Sequence, residues 1–367
     1  MNMSRPVCLI LLAVLVSPFL PAGISSAQVE ETVGSEHVRM RLPAERATMG
    51  RDLAPEMERC YIFMNRSTGQ SLPRKILIVV DWDQPDSSCN PQDATITVGM
   101  DNPLASADLK GILLRHAAKE MARLGLLEFS AGAQREDTEF LFEGMAEILV
   151  HEYEHSSRSL EGAWVICQYL DDMKLLGVAT ERSWTEFSSG KRCFRNAAPG
   201  ITLLTTSREL QGRDAPLKLF ESLRRNSLSA SLAAVFKTSA AEAENGWLKK
   251  VRAHQAVDEI TIAPEDVPLL LQTALTPGSV KPGETLEIQL FLKSPQNNLL
   301  PEGVFFRDER TGRVEQAHSP SEKGTGYLLV KLPIDANCPP GDYSYEVTAI
   351  DESGNLRRWP GRYKVGN

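Results

Sequence analysis

Cysteine is scarce and never paired in sequence. The 367-residue chain has six, none in a C-x-x-C arrangement, which argues against cysteine-ligated zinc and dithiol redox chemistry. No G-x-S-x-G is present, so a nucleophilic serine on a strand-to-helix elbow is not indicated. The glycine spacings fit neither a phosphate loop nor a dinucleotide fingerprint. Basic clusters are missing too. The formal charge is -8, from 40 Lys and Arg against 48 Asp and Glu, so a phosphate backbone finds little to bind and no nucleic-acid partner is expected. Beyond the first residues, no apolar stretch approaches the ~20 residues that a bilayer span needs. No internal repeat is evident.

What is present begins with MNMSRPVCLILLAVLVSPFLPAGISSAQ, which has one basic residue (Arg5), an apolar run from Val7 to Val16 and the small-residue ending Ser25-Ser26-Ala27. These are the features of a secretory signal peptide, and residues 1–27 are read as one. Cys8 lies inside the apolar run rather than at the cleavage point, so a lipid anchor is not indicated. The expected mature chain is exported, periplasmic or extracellular, with no transmembrane segment once the signal is removed. It keeps Cys60, Cys89, Cys167, Cys193 and Cys338. In an oxidising compartment Cys60 with Cys89 and Cys167 with Cys193 are the candidate bridges, each worth ~2 to 4 kcal/mol if formed. Buried free thiols are the alternative.

Residues 28–42 read as a polar arm. Leu53, Met57, Tyr61 and Met64 recur at helical spacing over Pro43 to Met64. KILIVV (Lys75 to Val80) is a buried strand and ATITVGM (Ala94 to Met100) a half-exposed one. A helix is expected from Ala107 to about Leu124, ended by Gly125, and a second from Thr138 to His155. Helical patterns follow over 162–175, 201–210, 215–224, 228–235 and 240–254. After Val257 the character changes. Short strand-like runs punctuated by Pro and Gly, at 269–274, 285–292, 303–306, 327–332 and 343–350, indicate an all-β sandwich. The expected fold class is therefore α+β over 43–258, then a β-sandwich over 266–367.

Two constellations compete for metal chemistry. Residues 151–155 read HEYEH, a literal H-E-x-x-H. At i and i+4, His151 and His155 leave one helix face and meet one ion, while Glu152 stands beside it to deprotonate a bound water. Glu143, Glu147, His151 and His155, however, follow i+4 steps along a polar stripe, and SSRS follows at once. This points to a solvated helix end rather than a working site.

The second constellation is a helix pair. ILLRHAAKEMARLG (112–125), a polar gap and FLFEGMAEIL (140–149) together resemble the gluzincin branch of zinc metallopeptidases, the peptidase MA-like fold. The order of elements from 43 to 256 resembles that family as well. The resemblance implies that His116 stands at the first zinc-binding histidine, Ala117 at the general-base glutamate, Glu120 at the second histidine and Glu143 at the third ligand, with Gly144 and Ala146 completing the pattern.

It therefore implies a metallopeptidase-like chain without its proton acceptor. General-base help contributes ~10²- to 10⁴-fold in rate, so no catalytic residue is expected and the chain is read as a pseudoenzyme. His116, Glu120 and Glu143 would form a vestigial or weak metal site, with zinc as the possible ion and otherwise no cofactor, and the former substrate groove would take a peptide or protein. PPGDYSYEVTAIDESGN resembles the last hairpin of an immunoglobulin-like module. Two alternatives stay open: an active zinc peptidase using His151, Glu152 and His155, and an architectural cell-envelope protein. One ion cannot serve both constellations. His151 lies eight residues beyond Glu143, ~12 Å along the helix axis, against zinc bonds of ~2 Å.

Overall fold

The computed structural model describes residues 30–84, 87–100, 109–135, 137–155, 158–176, 194–261, 267–293, 299, 303–320, 327–351 and 354–366. The signal-peptide reading of 1–27 and Cys193 lie outside the described residues. The chain is α+β, with helices packed on a mixed sheet and further sheets toward the C-terminus.

The first sheet contains β1 (Glu30–Gly34), β2 (Val38–Pro43), β3 (Ile76–Asp81), β4 (Ser88–Asn90) and β5 (Thr95–Gly99), in the order β1-β2-β3-β5-β4. β2, β3 and β5 run parallel, and β1 and β4 close the two edges antiparallel. The polar-arm expectation for 28–42 fails here. Val38, Met40 and Leu42 alternate with Arg39 and Arg41, and the three apolar residues are buried on the sheet face. Period-two alternation is the strand signature, and its arginines disguised it as a polar tail.

Helices α1 (Ala47–Ser67), α2 (Leu109–Phe129), α3 (Glu139–Tyr153), α4 (Arg158–Asp172), α5 (Phe194–Gln211), α6 (Ala215–Leu223), α7 (Leu228–Phe236) and α8 (Ala240–Ala253) follow. Gly125 does not end α2, which continues to Phe129. A Cβ on Gly125 would stand 2.4 Å from the Thr68 hydroxyl oxygen, so the glycine lets α2 pass close to the end of α1 rather than stopping the helix. Gly144 answers a similar demand between α3 and α5: its Cβ would meet the backbone of Gly200 and Ile201 at 2.5 Å. Close backbone approach of this kind fixes how α3 rotates about its axis, and therefore which of its residues face α2.

Of the two readings left open for the cysteines, the buried thiol holds for Cys60, so the candidate Cys60–Cys89 bridge is not formed. It is fully buried on α1, where burial, and then Glu154 of α3, push its pKa up. Cys89 lies on the edge strand β4, electrostatically coupled to Arg123 of α2 instead. Cys167 also remains a thiol, in contact with the Thr202 hydroxyl at 3.3 Å, and burial pushes it up to about 12.

C-terminal to Ile260 the chain forms two sheets. One is ordered β10-β7-β6, with β6 (Leu269–Thr276), β7 (Thr285–Lys293) and β10 (Leu328–Pro333). The other is ordered β12-β11-β8-β9, with β8 (Val304–Asp308), β9 (Val314–Gln316), β11 (Gly341–Ile350) and β12 (Leu356–Val365). Ile288, Leu290, Val330 and Leu332 of the first sheet share an apolar cluster with Phe306, Val347, Tyr363 and Val365 of the second. The opposite face of the second sheet brings Phe305, Val314, Ile350 and Leu356 into the core of the helical part. There, Tyr169 of α4 stacks on Phe305 at 4.8 Å and lies 2.6 Å, hydroxyl to hydroxyl, from Thr348, while Arg307 pairs with Asp172 at 2.6 Å.

Candidate functional site

α2 and α3 pack antiparallel through charged faces. Arg115, Lys119 and Arg123 recur every four residues on α2, and Glu143, Glu147 and His151 do the same on α3. Four-residue steps keep side chains on one helix face. The α2 face is cationic and the α3 face anionic, so the two stripes meet as complements. Arg123 Nε lies 2.9 Å from Glu143 Oε1, and Lys119 lies 3.3 Å from Glu143 and 2.7 Å from Glu147. Arg115 lies 3.8 Å from Glu147 and 3.4 Å from Glu154. Glu120, on α2 itself, pairs with Arg123 at 3.1 Å.

The expectation of a solvated stripe is thus overturned for three of its four members. Glu143, Glu147 and His151 are 3%, 6% and 2% exposed. A polar stripe on one helix reads as a wet face unless the neighbouring helix supplies its counter-charges, and here α2 does. The missed signal was the matching four-residue step of opposite sign in 115–123.

Burial alone would raise the Glu147 carboxyl, but Lys119 first and then Arg115 outweigh it and hold it at about 2. Glu147 and Glu143 likewise outweigh the burial of Lys119 and raise it above the ordinary lysine value. Burial, followed by Arg115, pushes His151 down to about 4, although Glu147 stands 3.8 Å from its Nε2. Burial, then Lys119 and Arg115, takes His116 down to about 4 as well. Both imidazoles are neutral at pH 7.

His116 and Glu143 both lie near Lys119, but different partners hold them. His116 Nδ1 lies 3.1 Å from Ser87 Oγ, which accepts the backbone N–H of Gly99 at 3.2 Å, so this histidine joins α2 to the sheet edge. Glu120 and Glu143 meet through Arg123. Ala117 is fully buried in the main apolar core.

In the HEYEH segment, α3 ends at Tyr153 and His155 is exposed with φ +54. A left-handed residue beyond the last turn leaves the helical face, so His151, buried among α2 cations, and His155, in solvent, do not converge. Glu152 pairs with Arg208 of α5.

The donor set does not fit zinc at either place. The Glu143 carboxylate lies within ion-pair distance of a guanidinium and an ammonium, so its charge is already compensated within the fold. The fixed cations of Lys119 and Arg123 would repel a second positive charge. A cavity of about 280 Å³ does open on the surface, but Lys218, Glu221, Ser222, Arg224, Arg225 and Asn226 line it at the end of α6, away from these residues.

No protein-family model matches the chain, and no curated protein does. Among solved structures, the chain is similar to the M60 catalytic domain of ZmpC from Clostridium perfringens, solved in complex with the sialyl T antigen. That overlap has 10% identity and a TM-score of 0.32, and covers 92% of this chain and 69% of the other. The ZmpB metallopeptidase from Clostridium perfringens overlaps at 11% identity and a TM-score of 0.33, over 92% and 69% of the two chains. The N-terminal part of the bacterial S-layer protein SbsC gives 13% identity and a TM-score of 0.15, over 72% and 66%. Overlaps this loose establish neither a shared architecture nor a shared activity.

Proposed function

We propose that the chain is an exported pseudopeptidase, with a gluzincin-like part (43–258, its sheet extended by the β1–β2 hairpin of 30–43) that has exchanged metal chemistry for an internal ion-pair lattice, followed by an immunoglobulin-like sandwich (266–367). The observation that carries this is the partnership of Glu143. The carboxylate that the resemblance assigns to zinc lies 2.9 Å from Arg123 Nε and 3.3 Å from Lys119 Nζ. The charge an ion would supply is already covalently part of α2. The resemblance puts Ala117, whose methyl group is buried, at the position of the proton acceptor, and hydrolysis without one forfeits ~10²- to 10⁴-fold. What remains is a binding or scaffolding role for a peptide or protein outside the cell. Among the described residues no helix is long and apolar enough to cross a membrane.

The test pairs metal analysis with casein digestion, using the wild type, His116→Gln and Glu152→Ala. Digestion at background in all three, with any bound metal unaffected by either substitution, is the expected result. Activity that disappears in Glu152→Ala overturns the reading in favour of the HEYEH peptidase. Metal that disappears in His116→Gln overturns it in favour of a retained zinc site.

A further inference from the structure

We infer that Glu36, His37 and Glu58 form a second kind of site, a binding site for a divalent ion of the Zn²⁺ class at the turn of the β1–β2 hairpin. One ligand atom from each of the three lies within 4.8 Å of the other two, the one such group of three or more His, Cys, Asp or Glu side chains among the described residues. Glu36 and His37 sit in the turn between β1 and β2, and Glu58 comes from the middle of α1. An ion there would staple the sheet's edge hairpin onto the helix that covers it.

Two observations separate this cluster from an ordinary surface ion pair. The first is preorganisation. His37 stacks on Tyr61 at 4.5 Å with the rings 12° apart, which fixes the imidazole plane, and its Nδ1 is hydrogen-bonded to Glu58 Oε1, so an ion held by both would take the place of the proton they share. The other oxygen, Glu58 Oε2, accepts the Ser35 hydroxyl at 2.6 Å and the His37 backbone N–H at 3.1 Å. Secondary contacts that orient ligands in this way belong to the design of metal sites.

The second is charge. Among the described residues neither Glu36 nor Glu58 pairs with a lysine or arginine, whereas Glu120, Glu143, Glu147 and Glu154 at the α2–α3 interface all do. Two carboxylates facing one imidazole have a deficit that a doubly charged ion fills.

The donor set selects the ion. Imidazole nitrogen with carboxylate oxygen suits Zn²⁺, whereas Ca²⁺ and Mg²⁺ take oxygen ligands in larger number. Glu36 is exposed, so the fourth position stays open to water. Bonds of ~2.0 to 2.2 Å at tetrahedral angles place neighbouring ligand atoms roughly 3.3 Å apart, so an ion would spread the direct His37–Glu58 contact while keeping all three atoms within the 4.8 Å they now span.

The experiment is a chelator-competition titration of the purified protein with Zn²⁺, repeated with Co²⁺ for its absorption bands and with Ca²⁺ as a control. The variants are Glu36→Gln, His37→Gln and His116→Gln. One equivalent of zinc in the wild type, affinity weakened about 10- to 100-fold or more in Glu36→Gln and His37→Gln, and no change in His116→Gln is the expected pattern. Glu36→Gln touches no hydrogen bond of the hairpin among the described residues, so its effect is not a folding effect, and far-UV circular dichroism confirms that for both hairpin variants.

Failure of the wild type to take up zinc, or uptake indifferent to Glu36→Gln and His37→Gln, overturns the inference. An absence of zinc leaves the pseudopeptidase reading standing. Zinc lost only in His116→Gln overturns both.

Discussion

Two groups of carboxylates differ in who supplies the positive charge. Between α2 and α3, Glu120, Glu143 and Glu147 are buried and answered by Arg115, Lys119 and Arg123. At the β1–β2 turn, Glu36 and Glu58 are more accessible and, among the described residues, pair with no lysine or arginine, Glu58 being held by His37 and Ser35. Carboxylates inside a low-dielectric interior must be compensated within the fold, because the desolvation penalty of an unpaired charge runs to several kcal/mol. Carboxylates near the surface can wait for an ion from solution. Under the two proposals, the site suggested by the motif is closed to metal by its own cations, and the site no motif suggests is open to one.

The largest effect that would break this comparison is removal of the central guanidinium. Arg123 is 1% exposed and touches both Glu120 and Glu143. Arg123→Met should cost ~3 to 5 kcal/mol in urea or thermal unfolding by leaving buried charge uncompensated, and adding Glu143→Gln should recover part of the loss. A loss of less than ~1 kcal/mol would mean that water already reaches the interface.

Acid comes next. His116 and His151 fall from 6.5 to about 4 in the fold, so the unfolded chain takes up protons that the native chain refuses. Their contribution is complete above about pH 6.5 and disappears as the pH falls through about 4. For the enclosed His151 it amounts to roughly 3 kcal/mol. Glu147 adds a second loss between its ordinary 4.5 and about 2. Unfolding free energies measured from pH 7 to 3 should fall accordingly, and His151→Gln should flatten the upper part of the slope.

At the hairpin the corresponding numbers are small. In metal-free buffer His37→Gln should cost about 1 kcal/mol or less, as partly exposed ion pairs do, and the cost should grow when zinc is present at saturation. The smallest effect is expected of Glu152→Ala. It removes a half-exposed pair with Arg208 and should stay within ~0.5 kcal/mol. A large loss there would place HEYEH in the supporting architecture after all.

Much of the secondary structure was legible from periodicity. The runs at Ile76–Asp81, Thr95–Gly99, Glu139–Tyr153 and the later helices all follow apolar spacing that the sequence displays openly. The misreadings share a cause. Gly125 marks a helix end only if nothing else requires a small residue, and the need comes from Thr68, 57 positions away in the chain. The 28–42 segment appears polar because arginines occupy the solvent side of β2. The stripe Glu143, Glu147, His151 appears wet because single-sequence periodicity reports that a face is polar, not what lies opposite. Each error concerns a partner contributed by a distant element, and the candidate site consists almost wholly of such partners. The hairpin cluster was invisible for the same reason, with His37 and Glu58 separated by 21 residues.

Tyr169 has a practical consequence for anyone who would divide this chain. Its ring lies flat on Phe305 and its hydroxyl reaches Thr348, so a cut near 260 peels an aromatic surface off each fragment. Either piece expressed alone would present that stripe to water and tend to associate, and the pair mixed together should re-form a complex whose recovery reports directly on how strongly the seam is held.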